Sequence, residues 1–206
     1  SVISYFAKLG CGADIVSIGE FEKCLAAGMS PQKIIFSGVG KDNNEIEFAL
    51  KNNILQFNIE SEEELKDIST IASRLKLTAN IGMRGNPDIA PNTHKKISTG
   101  EKETKFGIDF QNVKSIYKKL HQLDYINPVG LGVHIGSQIF DFNFFHRAYL
   151  NLKNLADELR LSGYTVPTLD LGGGIGINYD NSSEPDFNNY KKIISSLFKE
   201  SDYHLS

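Results

Sequence analysis

Short, almost continuous apolar runs alternate with amphipathic stripes along this chain, and that alternation limits the folds open to it. The runs lie at 13–17, 33–37, 55–59, 77–84, 129–135 and 168–171. A strand that is apolar on both faces must be covered on both faces. That is the pattern of a parallel sheet whose strands are joined by helical crossovers. The stretches between the runs carry helix signals. Val2, Ile3, Phe6 and Leu9 share one face of an opening helix. Gly28 closes a helix over 20–27 from the position just past its C-terminus. Asp42 with Glu45, and Ser61 with Glu64, have the spacing of reciprocal capping boxes. Leu65, Ile68, Ala72 and Leu75 then form one buried stripe, and Val113, Ile116, Tyr117, Leu120 and Leu123 form another in a helix over 109–123. Two more helices are expected: one within 143–161, with Phe145, Leu152, Leu155, Ala156 and Leu159 inward, and one over 187–198.

A parallel sheet of this kind is either open and doubly wound or closed into a barrel, and in both ligands gather at the C-terminal strand ends. Small or polar residues follow nearly every run here: Ser17, Ser37-Gly38, Glu60-Ser61, Arg84, His134 to Gln138, and Gly172 to Gly174. A ring of equipped strand ends fits a barrel better than a single crevice. The expected fold is α/β, a partial (β/α)8 TIM-type barrel with about six of the eight strand–helix units. It forms one domain over 1–206 that reads as truncated at both ends. One missing strand is expected before Ser1 and the other after Ser206.

Composition narrows the functional class. The 206 residues are 40% hydrophobic and 23% charged, with a net charge of −3. That suits a soluble globular domain and gives no basic field for nucleic acid or an anionic membrane. No apolar run approaches the ~20 residues of a membrane span. No charged-then-apolar leader opens the chain. Cys11 and Cys24 read as reduced thiols of a cytoplasmic protein.

The two most informative strand ends are Gly132-Val133-His134-Ile135-Gly136-Ser137-Gln138 and Leu169-Asp170-Leu171-Gly172-Gly173-Gly174. Three consecutive glycines give either a tight turn that lets a helix pack closely or a backbone cradle for phosphate. They are not a dinucleotide fingerprint, because the third glycine position is Ile177. Nor is Gly40-Lys41 a P-loop, since Asp42 follows and Ile35 holds the first glycine position. His134 is either a satisfied core histidine or a ligand contact, where an imidazole can stack on a flat ring, take a proton or bind metal. Arg84 is either half of a structural salt bridge or an anion site, and Asp14 either a buried acceptor or a site residue. No metal site is expected, because His94, His121 and His146 lack ligand spacing. The segment 85–107 is long for a structureless loop and reads as a functional lid or a disordered stretch, with a charged centre including Lys95, Lys96, Glu101 and Lys105.

An ordered set of motifs resembles one family. It comprises Gly12-Ala13-Asp14-Ile15-Val16-Ser17, Phe36-Ser37-Gly38-Val39-Gly40-Lys41, Arg84-Gly85-Asn86-Pro87-Asp88, Ser98-Thr99-Gly100 with Lys105-Phe106-Gly107-Ile108, His134 to Gln138, and Leu169 to Gly174. Together they resemble the diaminopimelate decarboxylases, in the alanine-racemase-like group of pyridoxal 5′-phosphate (PLP) barrels. The resemblance implies PLP-dependent decarboxylation of meso-2,6-diaminopimelate to L-lysine and CO2, the last step of lysine biosynthesis. The residue matching His134 stacks on the cofactor ring. Those matching Ser137, Gly172, Gly173 and Gly174 bind its phosphate, and those matching Asp14 and Arg84 lie close to it. The partners implied are an amino-acid substrate and a second copy of the full-length chain.

The departures from the family pattern are specific. No Tyr-x-x-Lys-Ala-Asn motif, which supplies the Schiff-base lysine, occurs in the chain. The Glu-Pro-Gly-Arg motif and the C-terminal β domain with its Cys-Glu motif are absent too. No catalytic residue is therefore assigned within 1–206, and these residues alone are expected to be inactive. Gly85 stands where a β-branched residue is usual, and Glu101 where leucine is. The alternatives are a sister decarboxylase of ornithine, arginine or carboxynorspermidine, a non-catalytic PLP-binding relative, and an unrelated phosphate-binding barrel.

Overall fold

Continuous apolar runs become parallel strands because each needs hydrophobic cover on both faces. The computed structural model describes residues 1–89, 106–179 and 184–206. It divides into two units, residues 1–83 with 115–129 and residues 84–114 with 130–206.

The first unit begins with α1 (Val2–Lys8), β1 (Ala13–Ile15), α2 (Ile18–Ala26), β2 (Ile34–Phe36), α3 (Asn43–Lys51), β3 (Gln56–Ile59) and α4 (Glu62–Leu75). It also holds the start of β4 (Ala79–Asn86), the C-terminal half of α5 (Phe110–Leu120) and the start of β6 (Ile126–Val133). Its strands pair in parallel, with Ala13 opposite Ile34, Ile35 opposite Gln56, and Phe57 opposite Ile81. Ile34, Phe36 and Phe57 are fully buried, and the rings of Phe36 and Phe57 stack.

The second unit holds the end of β4, then β5 (Ile108–Asp109), α6 (Asn143–Leu161), β7 (Thr168–Asp170), α7 (Phe187–Phe198) and β8 (His204–Leu205). Gly85 pairs with Ile108, Leu131 with Leu169, and Leu169 with Leu205, all in parallel. The hydrogen-bonded order is β1-β2-β3-β4-β6-β7-β8, with β5 beside β4. Strand–helix succession with parallel neighbours is that of a partial TIM-type barrel.

The expected elements are present, with three informative differences. The strand expected at 129–135 is Ile126–Val133, so it starts ahead of Pro128, a residue that reads as a strand boundary in sequence. The helix expected over 109–123 ends at Leu120, and Leu123 is exposed rather than part of the stripe. The strand expected after Ser206 is corrected: β8 lies within the chain and pairs with Thr168 and Leu169. Two residues are too few to show a periodicity. The shared face of α1 is also open, with Val2, Phe6 and Leu9 all exposed.

Only one of the two capping boxes closes. Asp42 Oδ1 accepts from the N–H groups of Asn44 and Glu45, and Glu45 Oε2 accepts from the Asp42 N–H at 3.1 Å. At the other, Ser61 Oγ accepts from the Glu64 N–H at 3.1 Å, but the Glu64 carboxylate is used elsewhere. Its Oε2 accepts from the Glu60 N–H, and its Oε1 from Lys41 Nζ. The Lys41 side chain is fully buried and also donates to Gly38 O at 2.6 Å and Asn58 O at 2.9 Å. A buried ammonium demands such partners, and the box yields to that demand. Burial still raises the Glu64 pKa above the usual carboxylate value, against the opposing pull of Lys41. Beside this pair, Gln56 Nε2 donates to Asn58 Oδ1 at 2.6 Å, and Asn58 Nδ2 to Ser37 Oγ at 3.1 Å. A Cβ on Gly82 would overlap the Gln56 amide and Asn58 Oδ1, so a side chain there would displace this hydrogen-bonded pair.

Lys41→Met should cost about 3–5 kcal/mol, because it leaves the Glu64 carboxylate buried without its cation. Lys41→Met with Glu64→Leu should recover much of that loss in chemical denaturation. Equal losses in the single and double variants would show that the pair does not act as a unit.

Candidate functional site

Two strand ends of the second unit build the site. β6 stops at Val133 and runs into His134, Gly136, Ser137 and Gln138; β7 stops at Asp170 and runs into Gly172, Gly173 and Gly174. The two loops are laced together by backbone. The Ile139 N–H donates to Gly174 O at 2.9 Å, and the Gly176 N–H to Ile139 O at 3.0 Å. The Gln138 side chain adds a third tie, its Oε1 accepting from the Ile177 N–H at 2.7 Å.

Glycine is required where the loops meet. Gly172 and Gly174 have φ of +66° and +104°, in the left-handed region, and a Cβ on either would overlap the carbonyl oxygen of Val133 or Gly136 respectively. Gly173 between them opens onto free space, since a Cβ there would meet nothing within 4 Å. Among the described residues no acceptor faces the N–H groups of Gly174 and Ile175. Backbone turned in this way forms a nest of N–H donors for a small anion. This favours the cradle over the simple packing turn. Ser137 is exposed beside it, its Cα 3.6 Å from where a Gly174 Cβ would sit.

His134 is half-buried next to the glycines. The Gly173 N–H points at its Nδ1 at 3.4 Å. Desolvation, with a smaller contribution from the Arg84 charge, takes the imidazole pKa down to about 4. The ring is therefore neutral at pH 7, and with Nδ1 as acceptor its proton sits on Nε2. A neutral, flat, partly covered ring is suited to stacking on another ring. The Arg84 guanidinium reaches His134 O at 3.4 Å and lies 5.7 Å from the centroid of Phe106.

Of the expected site residues, Arg84, His134, Ser137, Gly172, Gly173 and Gly174 share this second unit. Asp14 belongs to the first, exposed on β1 opposite Ile35. Most of the expected lid, including Lys95, Lys96, Ser98-Thr99-Gly100, Glu101 and Lys105, lies outside the described residues. Gly85 is accounted for: a Cβ there would overlap the Phe110 ring, which fills the space a β-branched side chain would take. Asp170 and Gln138 appear in the quoted motifs with no structural role, yet each anchors one end of the glycine loop. The Asp-x-Gly spacing of a side chain that bonds the backbone two residues on was the available signal.

A family profile described as "Pyridoxal-dependent decarboxylase, pyridoxal binding domain" matches residues 1–204. This chain belongs to that family. Its similarity to individual members is substantial. It is 40% identical over 201 residues to the diaminopimelate decarboxylase of Zymomonas mobilis, covering 97% of this chain and 48% of that protein. It is 43% identical over 198 residues to the diaminopimelate decarboxylase of Helicobacter pylori, covering 96% of this chain and 49% of that protein. The crystal structure of the H. pylori enzyme complexed with L-lysine superposes with a TM-score of 0.95 at 40% identity, over 99% of this chain and 52% of that one. The chain thus spans about half the length of the curated relatives it matches. Among its described residues no helix is long and apolar enough to cross a membrane.

The lowered His134 pKa has a measurable consequence. Unfolded, the ring titrates near 6.5; folded, near 4. Between these values the unfolded chain binds the extra proton, so stability falls as pH drops from about 6.5 toward 4 and is fully retained above that window. Denaturation midpoints should therefore decline more steeply across it in the wild type than in His134→Phe. Parallel declines would show that His134 is not the group responsible.

Proposed function

We propose that the protein carrying this chain is a PLP-dependent decarboxylase that converts meso-2,6-diaminopimelate to L-lysine and CO2. The observation that carries the reading is the neutral His134 ring set against a three-glycine anion cradle. It is joined by identity of 40% or more to diaminopimelate decarboxylases along almost the whole chain.

The residues present fit the cofactor. Gly172 and Gly174 admit no Cβ against the Val133 and Gly136 carbonyls, Gly173 opens onto free space, and the Gly174 and Ile175 N–H groups lack protein acceptors among the described residues. A phosphate monoester supplies the acceptors such donors need. The Ser137 hydroxyl adds a donor at the rim, and Arg84 is assigned to the cofactor's surroundings. His134 offers its face to the pyridine ring. Its low pKa keeps a second cation away from that ring while Arg84 supplies the fixed positive charge.

Bound there, PLP supplies a conjugated ring that accepts the electron pair left when a carboxylate departs as CO2. The contribution of this chain would be to hold the ring against His134 and the phosphate at Gly172 to Gly174 and Ser137. The lysine that links to PLP is placed outside these 206 residues, because the motif that carries it does not occur in them. A homodimer and a cytoplasmic location complete the reading.

The test uses the full-length protein. It should turn yellow with PLP and form lysine from meso-diaminopimelate far faster than it decarboxylates ornithine or arginine. Preference for ornithine or arginine would overturn the substrate, and failure to bind PLP would overturn the reading as a whole.

A further inference from the structure

A carboxylate sits at the mouth of the anion cradle, where its charge alone would oppose an anion. Asp170 is the last residue of β7, and its Oδ1 accepts from the Gly172 N–H at 2.9 Å. That bond closes a turn over residues 170–172 and holds Gly172 at φ +66°. The side chain is seated from below. Gly132 lies directly opposite Asp170 in the parallel register, and a Cβ on Gly132 would come within 2.9 Å of the Asp170 Cβ. Burial first, then Tyr190 and last the charge of Asp170 raise the pKa of the Tyr149 phenol, which shares a 2.8 Å hydrogen bond with the Tyr190 hydroxyl. Tyr149 and Tyr190 pack with Phe142 and Phe145 in one aromatic cluster from α6, α7 and the residue preceding α6.

We infer that Asp170 is a positioning residue for the phosphate cradle, clamping the Gly172 N–H so that the following N–H groups face the anion. Asp170 takes the one N–H the anion does not need and thereby sets the direction of those it does. The geometric gain outweighs the repulsion of a nearby carboxylate. The role does not require the charge, only an acceptor atom in that place, and this separates it from an electrostatic role. It rests on the reading of the glycine loop as the site of the PLP phosphate.

Affinities of the full-length apoprotein for PLP, for pyridoxal (which lacks the phosphate) and for inorganic phosphate test the inference. Asp170→Ala should weaken PLP and inorganic phosphate about tenfold, the effect of losing one hydrogen bond that orders the loop, and leave pyridoxal unchanged. Asp170→Asn keeps an acceptor oxygen and should stay close to wild type. Gly132→Ala keeps the carboxylate but displaces it, and should behave like Asp170→Ala. Equal or tighter phosphate binding in Asp170→Ala overturns the inference, as does an equal loss of pyridoxal. If Asp170→Ala does not fold, the other two variants decide: tightened binding in Asp170→Asn with normal binding in Gly132→Ala overturns it. A wild type that binds inorganic phosphate but not PLP sinks the cofactor reading, and the same variant order is then read with inorganic phosphate alone. A wild type that binds neither sinks both.

Discussion

Parallel pairing brings the C-terminal ends of neighbouring strands to one edge of a sheet, and the functional residues of this chain inherit their places from that constraint. His134 lies where it does because β6 ends one residue earlier, and the three glycines because β7 ends at Asp170. Leu131 and Leu169 are register partners, so the two loops leave the sheet side by side. Their carbonyls and N–H groups then meet at distances that tolerate no Cβ at Gly172 or Gly174. Removing side chains at that meeting point exposes backbone donors, so the feature that lets the strands' ends approach is also the one that lets an anion in.

The first unit meets the same constraint differently. There the inward positions of β3 carry Gln56 and Asn58, both buried, in place of aliphatic side chains. A core can hold amides only if they are hydrogen-bonded, and these are bonded to one another and to Ser37. Lys41 extends the network by satisfying two backbone carbonyls with a buried charge that Glu64 neutralises. A charge pair so placed contributes little net stability, yet removing one partner alone leaves the other buried and uncompensated.

Much of this was legible in the order of residues, for physical reasons that differ from element to element. Strands buried on both faces announce themselves as apolar runs, and α6 shows its inward face through Phe145, Leu152, Leu155, Ala156 and Leu159, all buried. The closed Asp42–Glu45 box was readable because only four consecutive residues take part. The Ser61–Glu64 box was misread because the competing partner, Lys41, is distant in sequence. β8 escaped notice because its pairing with Thr168 and Leu169 is set by tertiary packing rather than by its own two residues. At the site, glycines and a strand-end histidine could be picked out from type and position. Asp170 left only the Asp-x-Gly spacing as a signal for its bond to the Gly172 N–H, and that spacing does not say that the turn it closes borders an anion cradle.

Gly85 and Phe110 share a single volume: the ring of one occupies the space that a side chain on the other would need. In this chain the two positions are therefore one fitted unit. A branched residue placed at 85 would need the Phe110 ring to move or a smaller residue to stand at 110. Either change made alone disturbs a fit that the two made together would preserve, for a reason visible in neither position by itself.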